Sequence, residues 1–144
     1  MESTLLKPVV AAAPLKAKTT PKATTIYWIV TALFCLQMSF TAYYELANPQ
    51  VGENFARLGF SSHAFHVELS VAKALGVLAL LAPVSARLKE WAYAGFAINL
   101  ASALIAHLSA GDGPAAWGPS AATGALWGLS YFFWHRLQTT PASA

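Results

Sequence analysis

Residues 25–46 run for about 22 positions with one charged side chain, Glu45, close to their far end. Wound as a helix, such a run is about 33 Å long, enough to cross the roughly 30 Å hydrocarbon core of a bilayer. Three more apolar runs of similar length follow at 63–82, 91–109 and 115–134. Between them stand strong helix breakers: Asn48-Pro49, Pro83, and the Gly111-Asp112-Gly113-Pro114 cluster. The pattern specifies an all-α integral membrane protein, a four-helix bundle spanning 25–136.

Composition agrees. Only 10% of the 144 residues are charged and mean hydropathy is +0.48. A soluble domain carries roughly 25% charged residues to coat itself for water. Interfacial aromatics sit where a membrane boundary needs them, with Tyr27 and Trp28 at one end of the first run and Tyr43 and Tyr44 at the other.

The flanks set the topology. Residues 1–24, rich in Ala, Pro, Lys and Thr, read as a disordered cytoplasmic tail, and 137–144 as a short C-terminal one. Lys7, Lys16, Lys18 and Lys22, the loop residues Arg87 and Lys89, and Arg136 then share one side. Arg57 stands alone on the other. Seven basic residues against one predict both termini in the cytoplasm and a location in the cell (inner or plasma) membrane. The formal charge of +3 is accounted for by these flanks; no basic face forms, so nucleic acid is not an expected partner. The lipid bilayer is.

Residues 49–62 connect the first two runs. Val51, Phe55 and Leu58 recur at helical spacing with Glu53, Asn54 and Arg57 between them, which predicts a short amphipathic helix at the interface. Gly59 suits its end, and Ser61-Ser62 a cap for the next helix. Cys35 is the only cysteine and forms no redox pair, so it reads as a small apolar packing residue.

Helices in lipid associate through small residues that let backbones approach. Gly124 and Gly128, with Ser120, step by four along the last run; Gly76 stands with Ala72 and Ala79, and Gly95 with Ala103 and Ala106. These four glycines are the expected packing positions.

Polar residues inside the runs need an explanation, because an unpaired charge at mid-bilayer costs at least about 2.5 kcal/mol. Gln37, Thr41 and Glu45 share one face of the first run, and His66, Ser70 and Lys73 one face of the second. Lys73 and Glu68 are expected to turn inward. They lie five apart, about 140° around a helix, so a network between helices with Glu45, Asn99 or His107 is more natural than a pair within one. Glu45, Glu68, Lys73, Asn99 and His107 thus form a buried polar network. It serves either to fix helix register, to line a pocket for a polar or quinone-like headgroup in the outer half of the bundle, opening toward the outer leaflet, or to carry protons or ions. The last run weakens the third option, having no Asp, Glu, Lys, Arg or His between 115 and 134. No metal-ligand spacing is present: His63 and His66 lack a paired carboxylate or thiol.

The run Arg87-Leu88-Lys89-Glu90-Trp91-Ala92-Tyr93-Ala94-Gly95-Phe96, followed by Ala106-His107-Leu108 and Gly111-Asp112-Gly113-Pro114, closely resembles the DoxX-like membrane protein family. Glu45-Leu46 before Asn48-Pro49, and Leu58-Gly59-Phe60, fit the same pattern. The resemblance implies a four-helix bundle and, through named relatives, membrane subunits tied to quinone-linked sulfur oxidation or oxidative-stress complexes. The expected function is a quinone-associated redox subunit, with a non-catalytic accessory subunit of a larger membrane complex as the alternative. A small-molecule transporter fits less well, since the chain is short and shows no inverted repeat or broken helix.

Overall fold

Three of the five helices begin on a proline, a residue whose fixed φ suits the first turn and whose missing N–H is not needed there. The computed structural model describes residues 21–60 and 63–139. The expected tail up to residue 20, the Ser61-Ser62 cap and residues 140–144 lie outside the described residues. The elements are α1 (Pro21–Ala47), α2 (Pro49–Arg57), α3 (His63–Leu81), α4 (Ala86–Ser109) and α5 (Pro114–Thr139), and the described residues form no strand.

Boundaries follow local chemistry. Asn48 caps α2 by accepting from the Gln50 N–H at 3.0 Å, and the chain leaves that helix through Gly59, whose φ of +95° few other residues adopt. Ser85 caps α4 by accepting from the Leu88 N–H at 3.3 Å. That cap starts α4 five residues earlier than its apolar run, so Arg87 and Lys89 stand on the first turns of the helix rather than in a loop. Likewise α1 starts at Pro21, and α5 continues past Trp134 to Thr139. Pro119 sits inside α5, where the Thr123 hydroxyl donates to its carbonyl at 2.8 Å.

Each long helix packs on two others, α1 on α3 and α5, α4 on α3 and α5, so the four close into a ring. The small α2 packs on α1. By length and composition α1, α3 and α4 are able to cross a membrane. The fourth expected span, α5, is 26 residues long but diluted by glycine, serine, proline and tryptophan, and falls outside that class.

The exterior differs from that of a water-soluble domain, and polar side chains join the apolar core. Thr31, Ser70, Lys73 and Ser130 are buried, whereas Leu36 and Ile98 are each 69% exposed and Leu78 62%. Such a surface suits hydrocarbon. Inside, Phe34 meets Phe96 edge to face at 5.0 Å, and Tyr93 lies 5.4 Å from Trp134. At the end of the ring away from α2, the Ser130 hydroxyl lies 2.7 Å from both the Thr31 and Tyr93 hydroxyls, and the Trp127 indole N–H donates to the Tyr93 carbonyl at 2.9 Å. These bonds tie α1, α4 and α5 together.

The glycines differ in what they do. A Cβ at Gly76 would lie 2.7 Å from the Phe96 ring, so this glycine lets α4 approach α3. A Cβ at Gly95, Gly124 or Gly128 would meet nothing within 4 Å. Small size at those three positions is not demanded by a neighbouring helix. Gly76→Ala should therefore destabilise the fold by about 1–3 kcal/mol through overpacking, while Gly124→Ala and Gly128→Ala should stay within about 0.5 kcal/mol of the parent, as measured by reversible unfolding in detergent.

Candidate functional site

At the α2 end of the ring, the face of α1 that carries Phe34, Met38 and Ala42 finishes on Glu45. On α3 the spacing of four and three that groups His66, Ser70 and Lys73 brings all three into the interior. The Lys73 ammonium donates to Glu45 Oε1 and the Ser70 hydroxyl to Glu45 Oε2 at 3.2 Å. The side chains of Glu45 and Lys73 keep only 10% and 7% of their exposure. So deeply placed, each charge depends on the other.

Two cavities border this pair. The first, about 340 Å³, lies between α3 and α4; Leu69, Gly76, Trp91 and Phe96 supply apolar walls, and Lys73 and Asn99 the polar groups. The second, about 300 Å³, lies under α2 and is lined by Glu45, Asn48, Gly52, His63, His66 and Val67. Glu45 thus faces one cavity and Lys73 the other. His66 Nε2 lies 3.1 Å from the Phe60 carbonyl, and Phe55 packs its ring 4.5 Å from the imidazole. A carbonyl only accepts, so Nε2 carries the proton. Among the described residues no three His, Cys, Asp or Glu side chains gather closely enough to hold a metal ion.

A second polar cluster joins α2 to the α4–α5 turn. Arg57 donates both guanidinium nitrogens to Asp112, at 2.9 and 3.0 Å, and His107 Nδ1 lies 2.6 Å from Asp112 Oδ2. Arg57, and after it His107, hold the Asp112 carboxyl well below the usual carboxylate range; the same carboxylate raises the Arg57 guanidinium.

The expected network is thus divided. Glu45 and Lys73 pair directly, Asn99 shares a cavity with Lys73, and His107 belongs to the Arg57–Asp112 cluster. Glu68, expected to turn inward, is instead exposed on α3, because the 140° that separates it from Lys73 carries it off the buried face. Sequence reasoning passed over Asp112, which reads as part of a glycine-rich breaker, and Arg57, which reads as a flanking charge. The signal available was that Asp112 is the one acid between residues 91 and 144.

A model of the DoxX-like family matches residues 29–130, which takes in α2, α3 and α4 whole and most of α1 and α5. No curated protein and no solved structure matches the chain.

Two outcomes follow from this geometry. Removing one partner of a buried ion pair leaves an uncompensated charge, so Lys73→Met should cost about 3 kcal/mol of unfolding free energy in detergent, and the double variant Glu45→Gln with Lys73→Met should recover most of it. Asp112 is depressed in the fold, so its contribution is complete above the ordinary carboxylate value near pH 4 and declines as pH falls below it. Thermal unfolding should accordingly show the parent more stable than Asp112→Asn at pH 6, with the difference shrinking between about pH 4 and pH 2.

Proposed function

The chain belongs to the DoxX-like family of membrane proteins, and we propose that it serves as a quinone-associated redox subunit whose α3–α4 cavity receives a quinone-like headgroup. In this reading all four long helices cross the cell membrane as one bundle, both termini on the cytoplasmic side. The seven-to-one distribution of basic flanks supports that orientation.

One observation carries the ligand assignment. The α3–α4 cavity combines apolar walls with two hydrogen-bond donors, the Lys73 ammonium and the Asn99 amide, at a volume near the lower end of that of small-molecule sites. A quinone headgroup is flat, apolar on its faces and has carbonyl acceptors, so these residues fit it. Trp91 and Phe96 would hold the ring and Lys73 and Asn99 the oxygens. When bound, a quinone supplies two-electron, two-proton redox chemistry. The role of this chain is then to bind and orient the headgroup, to exclude water from it, and to hold a positive charge beside its oxygens. Electron exchange falls to a partner subunit, in keeping with a buried, unpaired Cys35 as the only thiol.

The alternative, a non-catalytic accessory subunit, draws on a different observation: Glu45 is satisfied within the fold by Lys73 and Ser70, as a purely structural ion pair would be.

Trp91 separates the two readings. Titrating the purified protein with a short-chain ubiquinone analogue should quench its tryptophan fluorescence saturably, and Trp91→Phe should lose that component. Asn99→Leu should weaken the affinity about tenfold, or about 1.4 kcal/mol. A quench unaltered in both variants removes the headgroup site and leaves the accessory role.

A further inference from the structure

The Glu45–Lys73 pair is a partition between two cavities that differ in their ionisable groups. The lateral one is apolar apart from Lys73 and Asn99. The one under α2 is lined by three ionisable side chains, Glu45, His63 and His66, together with Asn48. At about 300 Å³ it has room for several water molecules, and polar partners to hold them. From these observations we propose that the chamber under α2 is an aqueous vestibule through which Glu45 exchanges protons with the surface, making the ion pair a proton-exchange site rather than a sealed salt bridge.

Four features support this. His63 is exposed, whereas His66, one helical turn deeper on α3, is 7% exposed, so the two imidazoles lead from the surface inward. His66 spends its Nε2 proton on the Phe60 carbonyl, which leaves Nδ1 free to accept or to carry a second proton. Gly52 on α2 extends no side chain into the space: even a Cβ there would stand only 3.6 Å from His66 Cε1, and a longer side chain would occupy the vestibule. Finally, α2 is held at its C-terminal end by the Arg57 clasp on Asp112, which keeps the roof in place over the opening.

The proton balance is simple. A hydronium ion in the vestibule gives its proton to a Glu45 carboxylate oxygen and leaves as water, and the reverse step returns it. The charged and titratable groups around Glu45 are Lys73, His66 and His63 from α3, with Ser70 donating to it; α2 adds Glu53 and Arg57, both exposed. The vestibule does not depend on what fills the lateral cavity.

Carbodiimides react with carboxyl groups that take up a proton, and a water-soluble one reaches Glu45 only from an aqueous opening. The full-length protein in phosphatidylcholine vesicles is treated with such a reagent, and mass spectrometry follows the peptides bearing Glu45 and, as an exposed control, Glu53. Glu45 should be labelled in the parent. Gly52→Leu should slow labelling at Glu45 at least tenfold with Glu53 unchanged. Val67→Phe plugs the same vestibule from α3, so a block by both variants identifies the route rather than damage to α2. Ala72→Leu, which fills the lateral cavity, should leave the rate as it is. The proposal is overturned if Glu45 is inert in the parent, if neither plug slows it, or if Ala72→Leu is the variant that does.

Discussion

A carboxylate and an ammonium buried at one end of the helix ring govern most of what surrounds them. Glu45 and Lys73 retain a tenth or less of their exposure, so either charge alone would be costly and the two together are tolerable. Their pairing fixes the register of α1 against α3. It draws Ser70 into line as a second donor and brings the buried stripe of α3 inward with it. The two cavities owe their separation to the same contact, because the acid borders one and the base the other.

The opposite end of the ring is stabilised differently. There the fully buried polar side chains are hydroxyls, with Ser130 between Thr31 and Tyr93, and these neutral groups carry no charge to compensate. Among the described residues the Tyr27 hydroxyl is the one buried side-chain polar atom without a partner. Burying hydroxyls costs less than burying ions, and three helices are joined by short bonds between groups of modest polarity. The buried ion pair thus lies at the α2 end.

Much of this was legible in the residues, and for definite reasons. The run lengths and breakers mark every long helix, and the amphipathic spacing of Val51, Phe55 and Leu58 marks α2. The interval of four and three from His66 to Lys73 gives the buried face of α3, because periodicity within one helix is a local property. What was not legible depends on a second helix. Glycine stripes look alike in sequence, yet only at Gly76 does a ring from another helix fill the space where a side chain would stand. Arg57 and Asp112 lie 55 positions apart, so their two-pronged contact has no trace in spacing. The outward turn of Glu68 was available from its angle to Lys73 alone, once that angle was used to part the two residues rather than to link them through other helices.

The order in which these partners are made has its own consequence. Ribosomes add roughly 5–20 residues each second, so Lys73, which trails Glu45 by 28 positions, emerges about 1.4–6 s after it. During that interval the nascent first helix carries an acid with no counter-ion. Arg57 waits longer still, for a residue beyond the third long helix. Along the chain these are deferred closures: the residue that fastens the roof over the bundle is synthesised only after most of the walls.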